Sequence, residues 1–218
     1  MPELKILQAT FVVAFESPLM KVRQSAFRAA LASILHGQPQ LGFSPPEEGQ
    51  PLSSRALQAI SLRDQIAIEL APTTLALTDH SGELKAARPI FALPGRILEA
   101  SESPKAKNYA FGIEVEWIVP GTKAGEAIAR AFLTERDPLR RLRGLYGASL
   151  SLRAKVDPSV DRSVQIEARF RVDSSDRYWA KIDDSRSGAE IPKSDALYAQ
   201  ARSSYDELER LLKEAKVF

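Results

Sequence analysis

Phe11, Val13 and Phe15 alternate with Val12, Ala14 and Glu16, and Phe111, Ile113, Val115 and Trp117 repeat the alternation opposite Glu114 and Glu116. Successive side chains on a strand point to opposite faces, so each stretch reads as a strand with one buried face. A helix signal follows each one. After the first, Ser17-Pro18 supplies a capping hydroxyl and a proline suited to the first turn. Leu19, Val22, Ala26, Phe27, Ala30, Leu31, Ile34 and Leu35 then recur at helical spacing until Gly37 stops them. After the second, Pro120-Gly121-Thr122 leads into Ala124, Ala127, Ile128, Ala131 and Phe132.

Paired strands come next in both halves. Ile60, Leu62, Ile66, Ile68, Leu70, Leu75 and Leu77, interrupted at Arg63-Asp64-Gln65 and Ala71-Pro72-Thr73, read as two or three antiparallel strands that end in the turn Asp79-His80-Ser81-Gly82. Leu150, Leu152, Ala154 and Val156 form an alternating strand. Asp157-Pro158-Ser159 turns it onto a partner carrying Val164, Ile166, Ala168, Phe170 and Val172. A helix closes each half. The first, from Pro89 to Ser101, is expected to break near Pro94-Gly95. The second follows Ser194 and lines up Leu197, Ala201, Tyr205, Leu208, Leu211, Leu212 and Ala215. The Pro-, Gly- and Ser-rich stretch from Gly37 to Ser54 is expected to be a surface loop.

This order predicts an α+β fold: a mainly antiparallel sheet with helices packed on one face. It also suggests a tandem ferredoxin-like pseudo-repeat, strand-helix-strand-strand-helix, with halves at 1–104 and 105–218 or one continuous domain.

Composition narrows the chemistry. The chain has 218 residues and no cysteine, which rules out disulfides, thiolate nucleophiles and cysteine-ligated metals. Lys and Arg number 30 against 28 Asp and Glu, a net charge of +2, so the chain lacks the gross basic excess of a nucleic-acid coat. Gln8, Thr10 and Glu16 interrupt the N-terminal apolar stretch too often for a signal peptide, and no run reaches the length of a membrane helix. The expectation is a cytoplasmic protein with no membrane partner.

Only His36 and His80 can supply imidazole. Asp79-His80-Ser81 holds the residue types of a hydrolytic triad, but such groups must converge in space with an oxyanion hole, so the segment reads as a polar turn. No G-x-S-x-G, G-x-x-x-x-G-K-[ST] or G-x-G-x-x-G occurs. Glu114 and Glu116 share a strand face, read as the solvent face, and Asp183-Asp184 reads as a solvated loop. A hydrolase or nuclease would need these dispersed carboxylates to hold a metal. No cofactor and no metal site is expected.

The remaining signals concern binding. Arg140, Arg141 and Arg143 lead into the strand bearing Arg153 and Lys155, and Arg169 and Arg171 lie on its partner. A basic sheet face on a ferredoxin-like frame resembles the RNA-recognition motif, but Arg143-Gly144-Leu145-Tyr146-Gly147 puts leucine where that family stacks an aromatic ring. Tyr178-Trp179, in an otherwise polar stretch, is expected to be an exposed interaction patch. The leading reading is a non-catalytic protein-interaction or assembly subunit, with a protein partner or self-association. One alternative is an RNA- or single-stranded-DNA-binding module using Arg140, Arg141, Arg143, Arg153, Lys155, Arg169 and Arg171. The other is the carboxylate hydrolase or nuclease.

Overall fold

A computed structural model describes residues 3–16, 29–36, 39–43, 57–100, 105–133, 148–169, 176–187 and 190–215. The fold is mixed α+β and mostly sheet. The strands are β1 (Lys5–Phe15), β2 (Gln40–Phe43), β3 (Leu57–Ser61), β4 (Ile66–Ala71), β5 (Thr74–Asp79), β6 (Ala106–Ile118), β7 (Ser149–Asp157), β8 (Val160–Ala168) and β9 (Arg177–Ser187). The helices are α1 (Pro89–Ala100), α2 (Ala124–Phe132) and α3 (Ser194–Glu214), and residues 29–32 are also helical. Among the described residues, nine strands run in the order β2-β3-β4-β5-β1-β6-β9-β8-β7. No helix among the described residues is long and apolar enough to cross a membrane.

The chain forms two compact units. One comprises Gln8–Phe111 and Ser185–Ala201. Its core grows from strand alternation. Phe11 lies opposite Leu77 and Val13 opposite Leu75, Ile68 pairs with Leu77 and with Ala59, and all of these are buried. From α1, Ile90, Phe91, Leu93 and Ile97 cover this layer, with the Phe91 ring stacked 5.8 Å from Phe111 and edge-on to Tyr198 at 5.3 Å. These contacts correct the expected break at Pro94. The helix runs through it, because the burial of Leu93 and Ile97 outweighs the roughly 3 kcal/mol penalty of an interior proline. The expected loop after Gly37 also contains a strand: β2 pairs with β3 from Gln40↔Ile60 to Phe43↔Leu57.

The other unit comprises Met1–Leu7, Gly112–Asp184 and Arg202–Phe218. Ile113, Val115 and Trp117 of β6, Val164 and Ile166 of β8, and Tyr178, Ala180 and Ile182 of β9 form its buried layer with Ile128 of α2 and Leu208 and Leu212 of α3. Trp117 stacks on Tyr178 at 5.2 Å and 12° between planes. Two expectations change here. The stretch around Asp183-Asp184 is strand β9, whose inward alternation of Tyr178, Ala180 and Ile182 is set among polar residues. Strand β7 forms as expected, but its apolar side is not buried: Leu152 is 49% and Val156 53% exposed. It stands last in the strand order, so among the described residues a ladder supports it on one side only. The expected strand pair is thus a run of three consecutive neighbours, β7-β8-β9, and the first half likewise holds β3-β4-β5.

Candidate functional site

Strand β7 is the most open element of its unit. Every residue except Leu150 is exposed. Its register with β8 pairs Leu150 with Ile166, Leu152 with Val164, Arg153 with Ser163 and Lys155 with Asp161. Directly opposite residues share a sheet face, so Leu150, Leu152 and Ala154 extend the row of buried Val164 and Ile166 to the sheet margin. Ser151, Arg153 and Lys155 lie on the opposite face. A register shift between Lys155 and Asp157 marks a bulge. The hairpin turn is pinned by Asp157, whose Oδ1 accepts the Ser159 backbone N–H and hydroxyl, both at 2.7 Å.

The face carrying Arg153 continues as a polar surface on the other strands of this unit. Glu114 and Glu116 of β6 meet β9 there: Trp179 Nε1–H donates to Glu114 at 3.3 Å, and Arg177 donates to Glu116 at 2.6 Å. Lys181 Nζ lies 3.1 Å from Asp183 Oδ2. Gly112 makes room for that carboxylate, because a Cβ at this position would collide with Asp183 Oδ1. Burial pushes the Asp183 carboxyl above its usual range, the charges of Glu114 and Asp184 add to the shift, and Lys181 opposes it. Arg169 covers Trp179, its guanidinium 4.4 Å from the ring centroid.

Asp184 turns the other way, toward the helices. It takes two hydrogen bonds from Arg162, at 2.6 and 2.7 Å, and one from the Ser204 hydroxyl at 2.7 Å. The four carboxylates considered for metal chemistry are therefore split between the two sheet faces, and each has a structural partner. Among the described residues, no three His, Asp or Glu side chains gather as ligands.

The sequence-derived site residues fall as follows. Arg153 and Lys155 are exposed on β7, and Lys155 pairs loosely with Asp161 at 3.5 Å. Arg169 is exposed beside Trp179. Arg140, Arg141, Arg143 and Arg171 lie outside the described residues. Tyr178 and Trp179 are 1% and 5% exposed, so the expected exposure of this pair is not found. Their aromatic surface is used by Trp117 on one side of the sheet and by Arg169 on the other. The Tyr178 hydroxyl lies 3.0 Å from that of Thr122.

The aspartates next to the two histidines are held by other groups as well. Asp79, beside His80, holds Arg88 at 2.8 and 2.9 Å and accepts the Ser81 N–H. His36 Nδ1 lies 2.9 Å from Asp64, which also accepts the Ser61 hydroxyl at 2.6 Å. An open groove between α2 and the end of α3 is lined by Lys123, Glu126, Arg130 and Glu214. Glu126 lies 3.4 Å from both Lys123 and Arg130, so this groove presents no unbalanced charge. The alternation of Leu150, Leu152 and Ala154 located β7 in the sequence without telling whether that side is covered. No family model matches the chain, and comparison with curated proteins finds no match either.

Proposed function

We propose that this chain is a non-catalytic, cytoplasmic protein-interaction or assembly subunit whose contact surface is the open side of β7. The observation that carries this reading is the exposure of Leu152 and Val156 on a strand that, among the described residues, is paired along one side only. Apolar side chains left exposed along a sheet margin favour a protein contact that covers them. The competing nucleic-acid reading draws less support. Of its described cations, Lys155 faces Asp161, Arg169 rests on Trp179, and Glu114, Glu116, Glu167 and Asp183 share the same face, which breaks a continuous phosphate track.

We also infer an internal duplication at 1–104 and 105–218. In each half the opening strand lies beside the last strand of the run that follows it: β5 beside β1, and β9 beside β6. A helix then closes each half. In this reading each half is a ferredoxin-like unit whose strand pair is lengthened, to four strands (β2 to β5) in the first half and three (β7 to β9) in the second.

Affinity capture of the tagged chain from native lysate tests the functional reading. The expected result is one protein recovered in stoichiometric amount, and lost when Leu152→Lys and Val156→Lys are combined. No stoichiometric partner, together with a monomer in light scattering, would overturn it.

A further inference from the structure

The outer margin of β7 carries backbone N–H and C=O groups that no other strand among the described residues takes up. Such a margin recognises an extended chain, because its main-chain groups supply affinity and its alternate side chains supply selectivity. Two features of β7 define what can be added. The bulge between Lys155 and Asp157 interrupts the regular ladder, so pairing is confined to Ser149 through Lys155. Within that span the two faces differ sharply: Leu150, Leu152 and Ala154 on one, Ser151, Arg153 and Lys155 on the other.

The cations decide the occupant. A second copy of β7, paired antiparallel about a centre at Arg153, Ala154 or Lys155, sets Arg153 against Arg153, Arg153 against Lys155, or Lys155 against Lys155, whereas a centre at Ser151 or Leu152 sets Arg153 against a serine and leaves its charge unanswered. Like charges directly opposite one another destabilise a strand pair. Cations on a margin deter self-pairing in this way, and the same cations favour a strand of opposite charge.

We infer that β7 accepts, as a tenth strand, an extended protein segment in which acidic residues alternate with apolar ones. The acidic residues lie opposite Arg153 and Lys155. The apolar ones lie opposite Leu152 and Ala154, continuing the row that starts at buried Val164. This deepens the subunit reading above by naming the partner's chemistry.

The probe is a blocked peptide matching the nine residues of β7 in length, with valine alternating with glutamate. A second peptide carries lysine in place of glutamate, and single-stranded DNA serves as a polyanion. The expected result is saturable binding of the glutamate peptide, weakened by salt and absent for the lysine peptide. Amide protection should rise along β7. The double reversal Arg153→Glu/Lys155→Glu should weaken binding at least about tenfold while the thermal midpoint stays unchanged. Three outcomes overturn the inference: no binding of the glutamate peptide, binding that the double reversal leaves unaltered, or β7 protection produced by single-stranded DNA or by the chain's own concentration instead. A cellular partner held equally by the wild type and the double reversal also overturns it, while leaving the broader subunit reading standing.

Discussion

Arg162 and Asp184 face each other across neighbouring strands in a two-point pair, with Nε 2.6 Å from Oδ1 and Nη2 2.7 Å from Oδ2. Their side chains are only 15% and 5% exposed. Ser204 of α3 closes the remaining acceptor position, and Glu207 stands 3.7 Å from the guanidinium. The pair thus ties β8 and β9 to the helix that covers them. A buried ion pair adds little over an apolar replacement, but removing one member strands the other charge. Asp184→Ala should therefore lower unfolding free energy by about 3–5 kcal/mol in urea titration. The double change Arg162→Met/Asp184→Leu should recover most of that loss.

Asp183, the next residue, tests the opposite face. Its carboxyl is raised above 3.8 chiefly by burial. A carboxyl with a raised folded-state pKa contributes stability below its unfolded pKa and loses it as pH rises through the folded value. Asp183→Asn should therefore unfold at a higher temperature than the wild type near neutral pH, and the difference should shrink as pH falls toward 4. Gly112→Ala should destabilise the wild type, because the new methyl displaces Asp183 from Lys181, and should do so less in an Asp183→Ala background.

Asp64 works with the reverse sign. Burial alone would raise its carboxyl, but hydrogen bonds from Ser61 and His36 together pull it below 3.8. A depressed pKa contributes stability above the unfolded value and loses it as pH falls through the folded one. Asp64→Asn should destabilise the chain at neutral pH, with the difference closing below about pH 3.8 in acid titrations followed by circular dichroism.

Across the β7-β8 ladder a steep contrast in stability is expected. Ile166→Ala, in the buried row, should cost about 2–5 kcal/mol. Leu152→Lys, a register step away on the exposed margin, should change stability by about 0.5 kcal/mol or less. Denaturant midpoints of the two single variants check this directly.

The alternation of Phe11, Val13 and Phe15, and of Ile113, Val115 and Trp117, made β1 and β6 legible from residue order, and helical spacing did the same for α2 and α3. The failures share a physical reason. Alternation tells which side of a strand could be buried, not whether another layer covers it, so it left the exposure of Leu152 and Val156 undetermined. Asp184 looked solvated because the residue that neutralises it, Arg162, comes from another strand, and such pairings leave no local trace. Tyr178 and Trp179 looked exposed among polar neighbours, yet Tyr178 turns to the apolar layer and stacks on Trp117, while Trp179 shares its face with Arg177 and Lys181 and is covered there by Glu114 and Arg169. Pro94 looked like a break because local propensity says nothing of the core that Leu93 and Ile97 occupy.

Amide hydrogen exchange along Ser149 through Lys155 tests the open margin of β7 most directly. The account predicts that, in the free chain, alternate amides exchange slowly through their bonds to β8 while the intervening ones exchange as open amides, and that a bound partner protects the second set. Uniform protection of all these amides in the free chain, or open amides that stay unprotected when a stoichiometric partner is bound, would contradict it.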